Sequence, residues 1–146
     1  MMAVGLSALL VAALFAGAAL YVSVAEHPAR LNLDPAAQLT QWKPAYKRGA
    51  MMQASLALVG FVLGLAAFWQ TGDPAFAAAA VVLVANWPYT LLVIRPVNDR
   101  LLATDPSQAG DETVELLQRW GTLHGGRTAL GLAAMAIFFY ACVSGL

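Results

Sequence analysis

Pro74-Ala-Phe-Ala-Ala-Ala-Ala-Val-Val-Leu-Val-Ala-Asn86-Trp87-Pro88-Tyr89-Thr90-Leu-Leu-Val-Ile94-Arg95-Pro96-Val-Asn98-Asp99-Arg100-Leu101 decides how this chain folds. Its first 21 residues, Pro74 to Ile94, carry no charge. A helix of about 20 apolar residues, at 1.5 Å each, crosses a bilayer. Two features interrupt the apolarity: the amide of Asn86 and, two residues on, Pro88. From Asn86 to the charged edge at Arg95 is roughly 13 Å of helix, so the amide is expected deep in hydrocarbon, where it needs a partner. Pro88 lacks an N–H, and its ring crowds the carbonyl of Val84, one turn back. The segment therefore reads as a kinked span with a polar notch that other helices must satisfy.

Three further uncharged runs flank it: Met1–Ala25, Gly49–Trp69 and Thr128–Leu146. Hydrophobic residues make up 60% of the 146, and charged residues only 11%, which excludes a soluble domain. The fold class expected is all-α, a four-helix transmembrane bundle with short interfacial helices in the two longer connections. It forms a single domain over residues 1–146, with spans at about 3–24, 49–69, 74–94 and 128–146. The first run lacks a basic leading segment and is too long for a signal peptide, so it reads as a retained span. Cys142 is the only cysteine, which rules out an intrachain disulfide.

All eight Lys and Arg lie between runs one and two or between runs three and four. Four spans put those connections on one side, and the positive-inside rule makes that side cytoplasmic with both termini outside. The expected location is therefore a plasma membrane, the inner membrane if the cell is bacterial. In the first connection, Asp34 and Pro35 read as a helix start. Leu39, Trp42 and Tyr46 follow on one face, read as an aromatic anchor at headgroup level in preference to a substrate gate, and Pro44 is expected to bend that helix before span two. In the second, Asp111 is a candidate cap, and Gly125-Gly126 allows a bend or a close contact before span four. Gly60-x-x-x-Gly64 and the Ala/Gly-rich first run suit close helix packing.

Trp120, His124 and Arg127, spaced i, i+4, i+7, share one helix face. His27 lies at the same membrane edge after span one. Glu26, His27, Asn86, Asn98, Arg95, Arg100, His124 and Arg127 are thus placed to surround one pocket opening toward the inner leaflet; each also has a purely structural reading as a headgroup-level polar residue. Two histidines on different spans are a geometry for haem iron or, with Glu26, for a divalent ion, but no HExxH and no closely spaced His pair supports either. No P-loop, dinucleotide fingerprint, Ser-His-Asp set or nucleic-acid module is present.

The segment Asn86-Trp-Pro-Tyr through Asn98-Asp-Arg100-Leu101, followed by Trp120-x-x-x-His124-x-x-Arg127, resembles the anthrone oxygenase-like family of small four-span membrane proteins. The resemblance covers the chain in length and span order. It implies oxidation of an anthrone to an anthraquinone by dioxygen without a resident cofactor, on a lipophilic aromatic or quinol-type substrate drawn from the lipid bilayer. Such chemistry begins with loss of a proton to a base, followed by stabilisation of an oxyanion in a dry site. On this resemblance His124 is the base, Arg127 and Asn86 are oxyanion donors, and Trp87, Tyr89, Trp120, His27, Asn98 and Arg100 contact substrate. The competing class is a non-enzymatic small membrane protein, either a partner subunit or a binder of lipid or haem. Neither class involves nucleic acid, and the oligomeric state is not readable from the chain.

Overall fold

A computed structural model describes residues 2–144 and is helical almost throughout, with no strand among the described residues. Four helices are long and apolar enough to cross a membrane: α1 (Ala3–Arg30), α2 (Pro35–Thr71), α3 (Pro74–Ala103) and α4 (Asp111–Ser144). The expected end of span four at residues 145–146 lies outside the described residues. Each helix packs mainly on its chain neighbours, and α1 closes the ring against α4. The result is an up-down-up-down bundle with both termini at one end. The tight α2–α3 turn is also at that end; the opposite end carries the two longer connections and is the polar one.

The terminal half is built from small inward residues. Ala8, Ala12, Phe15 and Ala19 of α1 recur at helical spacing and meet Ala57 and Ala67 of α2, Ala79, Ala80 and Leu83 of α3, and Ala134 and Phe138 of α4. All are fully buried. Gly64 allows a close approach: a Cβ there would lie 2.8 Å from both Ala80 Cβ and the Phe138 ring. The outer faces carry large apolar residues, among them Leu10, Trp69, Leu92 and Tyr140.

The polar half differs from expectation. The helices expected in the connections are continuous with the spans: α2 runs unbroken through Pro44 for 37 residues, and α4 through Gly125 and Gly126 for 34. Leu39 and Trp42, expected as headgroup anchors, are fully buried. With Ile94, Val97, Leu101, Leu117 and Trp120 they form a second apolar core. The physical reason is packing on both sides of the proline. Trp42 and Leu39 are buried before it, and Gln53, Ala57 and Gly60 after it, so bending at Pro44 would pull one set out. Asp34 does cap α2, accepting from Ala37 N at 3.0 Å, with Pro35 first in the helix. Asp111 is instead the first residue of α4, whose start is tied by Thr113 Oγ1 accepting from Gly110 N.

Two helices are locally widened. Val22–Glu26 of α1 and Thr90–Ile94 of α3 are single π turns, and α3 is also broken by a turn at Ala85, within reach of Pro88. Both π turns border the layer between the two apolar cores, which is where the polar side chains gather.

Candidate functional site

The inward face of α4 supplies the centre of this layer. Trp120, His124, Arg127 and Thr128 are all buried on it, as the i, i+4, i+7 spacing requires. Together with Tyr46 and Gln53 of α2, Thr90, Ile94 and Asn98 of α3, and Val22, Glu26 and Arg30 of α1, the first three line a cavity of about 270 Å³. A mostly apolar wall with a few convergent polar groups is the usual form of a small-molecule site, here at its compact end.

His124 is held by a chain of hydroxyls whose direction can be counted. Thr128 Oγ1 lies 3.1 Å from the carbonyl of Ala19 and 3.5 Å from that of His124; both only accept, and the Thr128 proton is assigned to the nearer. With that assignment Ser23 Oγ, 2.8 Å from Thr128 Oγ1, donates to it. Having spent its own proton, Ser23 accepts from His124 Nδ1 at 3.2 Å. This assignment puts the proton of the neutral imidazole on Nδ1 and leaves Nε2, which has no partner among the described residues, with the lone pair. Ser23 can reach His124 because it sits in the π turn of α1.

Arg127 is 8% exposed and forms no salt bridge among the described residues. Its guanidinium donates to Thr90 Oγ1 and to Gln53 Oε1, both at 2.8 Å, and stands 5.8 Å over the Phe15 ring. Neutral acceptors orient the cation without cancelling its charge. A buried charge without a counter-ion is costly and makes the cavity wall attractive to an anion.

Trp120 Nε1 donates to Asn98 Oδ1 at 2.9 Å, and Asn98 Nδ2 donates to the Tyr46 hydroxyl at 3.1 Å. The Tyr46 ring is stacked on Trp42, with centroids 4.8 Å apart and planes 6° off parallel.

The remaining residues singled out from the sequence are dispersed. Asn86 does not meet His124: its Nδ2 bonds Leu83 O of its own helix at 3.0 Å, and its Oδ1 is buried without a partner. It lines a neighbouring cavity of about 260 Å³ with Trp87, Ala54 and Leu91, between α2 and α3, and this cavity shares Arg127, Gln53 and Thr90 with the first. The break at Ala85 turns Asn86 toward that seam. Trp87 Nε1 spans the seam to Ala54 O at 3.2 Å. Tyr89 donates to Leu123 O at 2.8 Å and packs where any side chain on Gly126 would collide with it, outside both cavities. Thus Gly126 serves close contact, Gly125 has nothing within 4 Å, and the helix does not break at either.

His27 lies behind the wall. Its Nε2 donates to Leu117 O at 2.8 Å, so its Nδ1 accepts from Arg30 at 2.7 Å. With both nitrogens committed, it has none to share with His124 for a haem iron, and no group of three metal-ligating side chains occurs among the described residues. Arg100 and Arg95 are on the outside, paired with Glu112 and with Asp99, because the α3 extension turns those positions to solvent.

Several site residues escaped the sequence reading: Ser23, Thr128, Gln53, Thr90, Tyr46 and Arg30. Gln53 and Thr90 had a usable signal, being isolated polar side chains within apolar runs. Arg30, held by Gln41, His27 and Glu26, had none.

The anthrone oxygenase family model matches residues 42–137. An anthrone oxygenase of Claviceps purpurea (strain 20.1) is 30% identical over 126 residues, covering 78% of this chain and 72% of that protein. The anthrone oxygenase ptaC of Pestalotiopsis fici is 30% identical over 118 residues, covering 71% and 84%. No solved structure gives a significant match. The matched region contains Tyr46, Gln53, Thr90, Asn98, Trp120, His124 and Arg127, and excludes His27 and Arg30.

Proposed function

Since the chain belongs to the anthrone oxygenase family, we propose that it is a membrane-embedded oxygenase that converts an anthrone-type aromatic ketone to the quinone with dioxygen, inside the cavity between its two apolar cores. The observation that carries this is the pairing, in one cavity wall, of a His124 Nε2 that makes no hydrogen bond among the described residues with a buried guanidinium that has no salt bridge among them.

The steps follow from those two groups. His124 Nε2 takes a proton from the methylene opposite the ketone; the C–H bond breaks and its electron pair enters the ring system as an enolate. Arg127, itself buried, compensates the negative charge that appears, in a mostly apolar cavity. The enolate gives an electron to dioxygen, and the resulting superoxide, also an anion, is held near the same cation until it bonds the ring carbon as a peroxide. Loss of the second methylene proton with O–O cleavage leaves one oxygen as the new carbonyl and the other as water. Four electrons leave the carbon and four reach dioxygen, so the substrate is itself the reductant.

The lipid setting rests on the four apolar helices and their apolar outer faces. The polar end, which carries all eight basic residues, is assigned to the cytoplasm on charge placement. The seam between α2 and α3 gives a lipophilic substrate a lateral approach to Arg127. In this reading Asn86 and Trp87 act along the approach, while Trp120 and Asn98 shape the reaction cavity.

The test is purified protein in lipid nanodiscs with anthrone, following quinone absorbance and oxygen uptake together. The expected result is quinone formation above the protein-free nanodisc rate, one dioxygen per quinone, and loss of that excess in His124→Gln with the bundle still folded. A wild-type rate equal to the protein-free rate sinks the proposal.

A further inference from the structure

We propose that Tyr46 is the hydrogen-bond donor that holds the substrate's ketone oxygen, opposite the base, so that the cavity works as an acid–base pair on an enolisable aromatic ketone. The inference rests on the oxidation reading above and adds a residue that the sequence pattern presents only as a membrane-surface aromatic.

The argument is again a count of protons. The indole of Trp120 can only donate, and it donates to Asn98 at 2.9 Å. The Asn98 atom facing it is therefore the carbonyl oxygen, which fixes the amide and leaves Nδ2 toward Tyr46 at 3.1 Å. An amide nitrogen has protons and no lone pair to offer, so the Tyr46 oxygen accepts. The phenol's own proton then has no acceptor among the described residues, and Tyr46 stands in the cavity wall.

The two chains that reach the cavity thus have opposite polarity. The Ala19–Thr128–Ser23 chain ends in the lone pair of His124 Nε2. The Trp120–Asn98 chain ends in the proton of Tyr46. Enolisation needs both: a base at the C–H and a donor at the oxygen where charge develops. Arg127 supplies charge compensation from a side chain that Thr90 and Gln53 hold in place, with its Nε buried and unpartnered. Tyr46 supplies the directional bond. Its placement is fixed before substrate arrives by the stack on Trp42, which is itself fully buried. A donor already aimed at a developing oxyanion in a water-poor site is worth about 100-fold or more in rate.

The proton step can be separated from the oxygen step by working without oxygen. Anthrone in nanodiscs made up in deuterium oxide is followed by NMR for exchange of its methylene protons. Wild type is expected to accelerate exchange, and Tyr46→Phe, which keeps the stacked ring, to lower that acceleration about 100-fold. Exchange by Tyr46→Phe at the wild-type rate overturns the proposal. Should Tyr46→Phe also lower the melting temperature, fluorinated tyrosines placed at position 46 decide. A rate that tracks phenol acidity supports a donor, and a flat series overturns one. Loss of exchange in His124→Gln alone leaves the oxidation reading standing without Tyr46. A wild type inert in both exchange and oxidation removes the oxidation reading and this inference together.

Discussion

Replacing Arg127 by Met separates what the residue does for the fold from what it does for the site. The side chain is 8% exposed and makes two bonds of 2.8 Å, to Thr90 and Gln53. Hydrogen bonds of this charged kind contribute ~1.5–3 kcal/mol each. Against that stands the burial of a cation with no carboxylate partner, a penalty of several kcal/mol even after relaxation. Met fills a similar volume, Gln53 keeps access to the cavity, and Thr90 can turn its hydroxyl to its own helix. The opposing terms are of the same size, so the variant is expected to unfold within ~1–2 kcal/mol of wild type, in either direction. Activity should respond very differently. Losing the stabilisation of a developing anion costs ~2.7–4 kcal/mol, or about 10²–10³ in turnover. The assay is a thermal melt in detergent beside quinone formation from anthrone in nanodiscs. Refutation takes either of two forms: a melt that collapses, showing Arg127 to be a structural strut, or turnover that survives, showing its charge to be idle.

Packing and surface charge give two more expectations. Gly64→Ala puts a Cβ 2.8 Å from both Ala80 and Phe138 and should cost ~1–3 kcal/mol. Gly17→Ala, with nothing within 4 Å, should be neutral or gain up to ~1 kcal/mol; paired melts reverse that order only if the terminal half is loosely packed. Hydrogen bonds from the Ser107 hydroxyl and backbone N–H hold the Asp105 carboxyl below its ordinary range. A lowered folded value means the stabilisation is present above the unfolded value, about 3.9, and is lost as pH falls through the folded one. The gap in melting temperature between wild type and Asp105→Asn should therefore hold steady near neutrality and close in acid; a gap that widens in acid contradicts the assignment.

The four helices were legible because apolar length is a one-dimensional property: Pro74–Ile94 has it whatever it packs against. The shared face of Trp120, His124 and Arg127 was legible for the same reason, since helical spacing alone puts them together. What escaped depends on pairing between helices or on departures from regular helix. Leu39, Trp42 and Tyr46 look the same whether they face headgroups or the α3 and α4 extensions, and only the extensions bury them. Asn86 was expected beside His124 from a kink at Pro88, whose size and direction the letters do not fix; with the break at Ala85 and the π turn at Thr90–Ile94 it faces the seam instead, where it shares a cavity with Arg127. Ser23 meets Thr128 across 105 residues of chain, a separation with no local signature. His27 and His124 are indistinguishable as letters, yet one has both nitrogens occupied and the other has one vacant.

The position of the cavity along the bundle changes what substrate concentration means. Arg127 lies about 17 residues, ~26 Å of helix, before the end of α4, and Gln53 lies about as far before the end of α2. Measured from the terminal face of a ~30 Å hydrocarbon layer, that is just inside its far boundary. Under the proposed function, substrate dissolved in the bilayer would reach the protein in two dimensions, so that its mole fraction in lipid, rather than its molarity in buffer, would set the rate. Diluting a fixed amount of anthrone with more phospholipid slows turnover although nothing in the water has changed. On the proposed reaction, the water it releases would have only a few ångströms to travel to the aqueous side, while the flat, apolar quinone would return to the layer from which its precursor came.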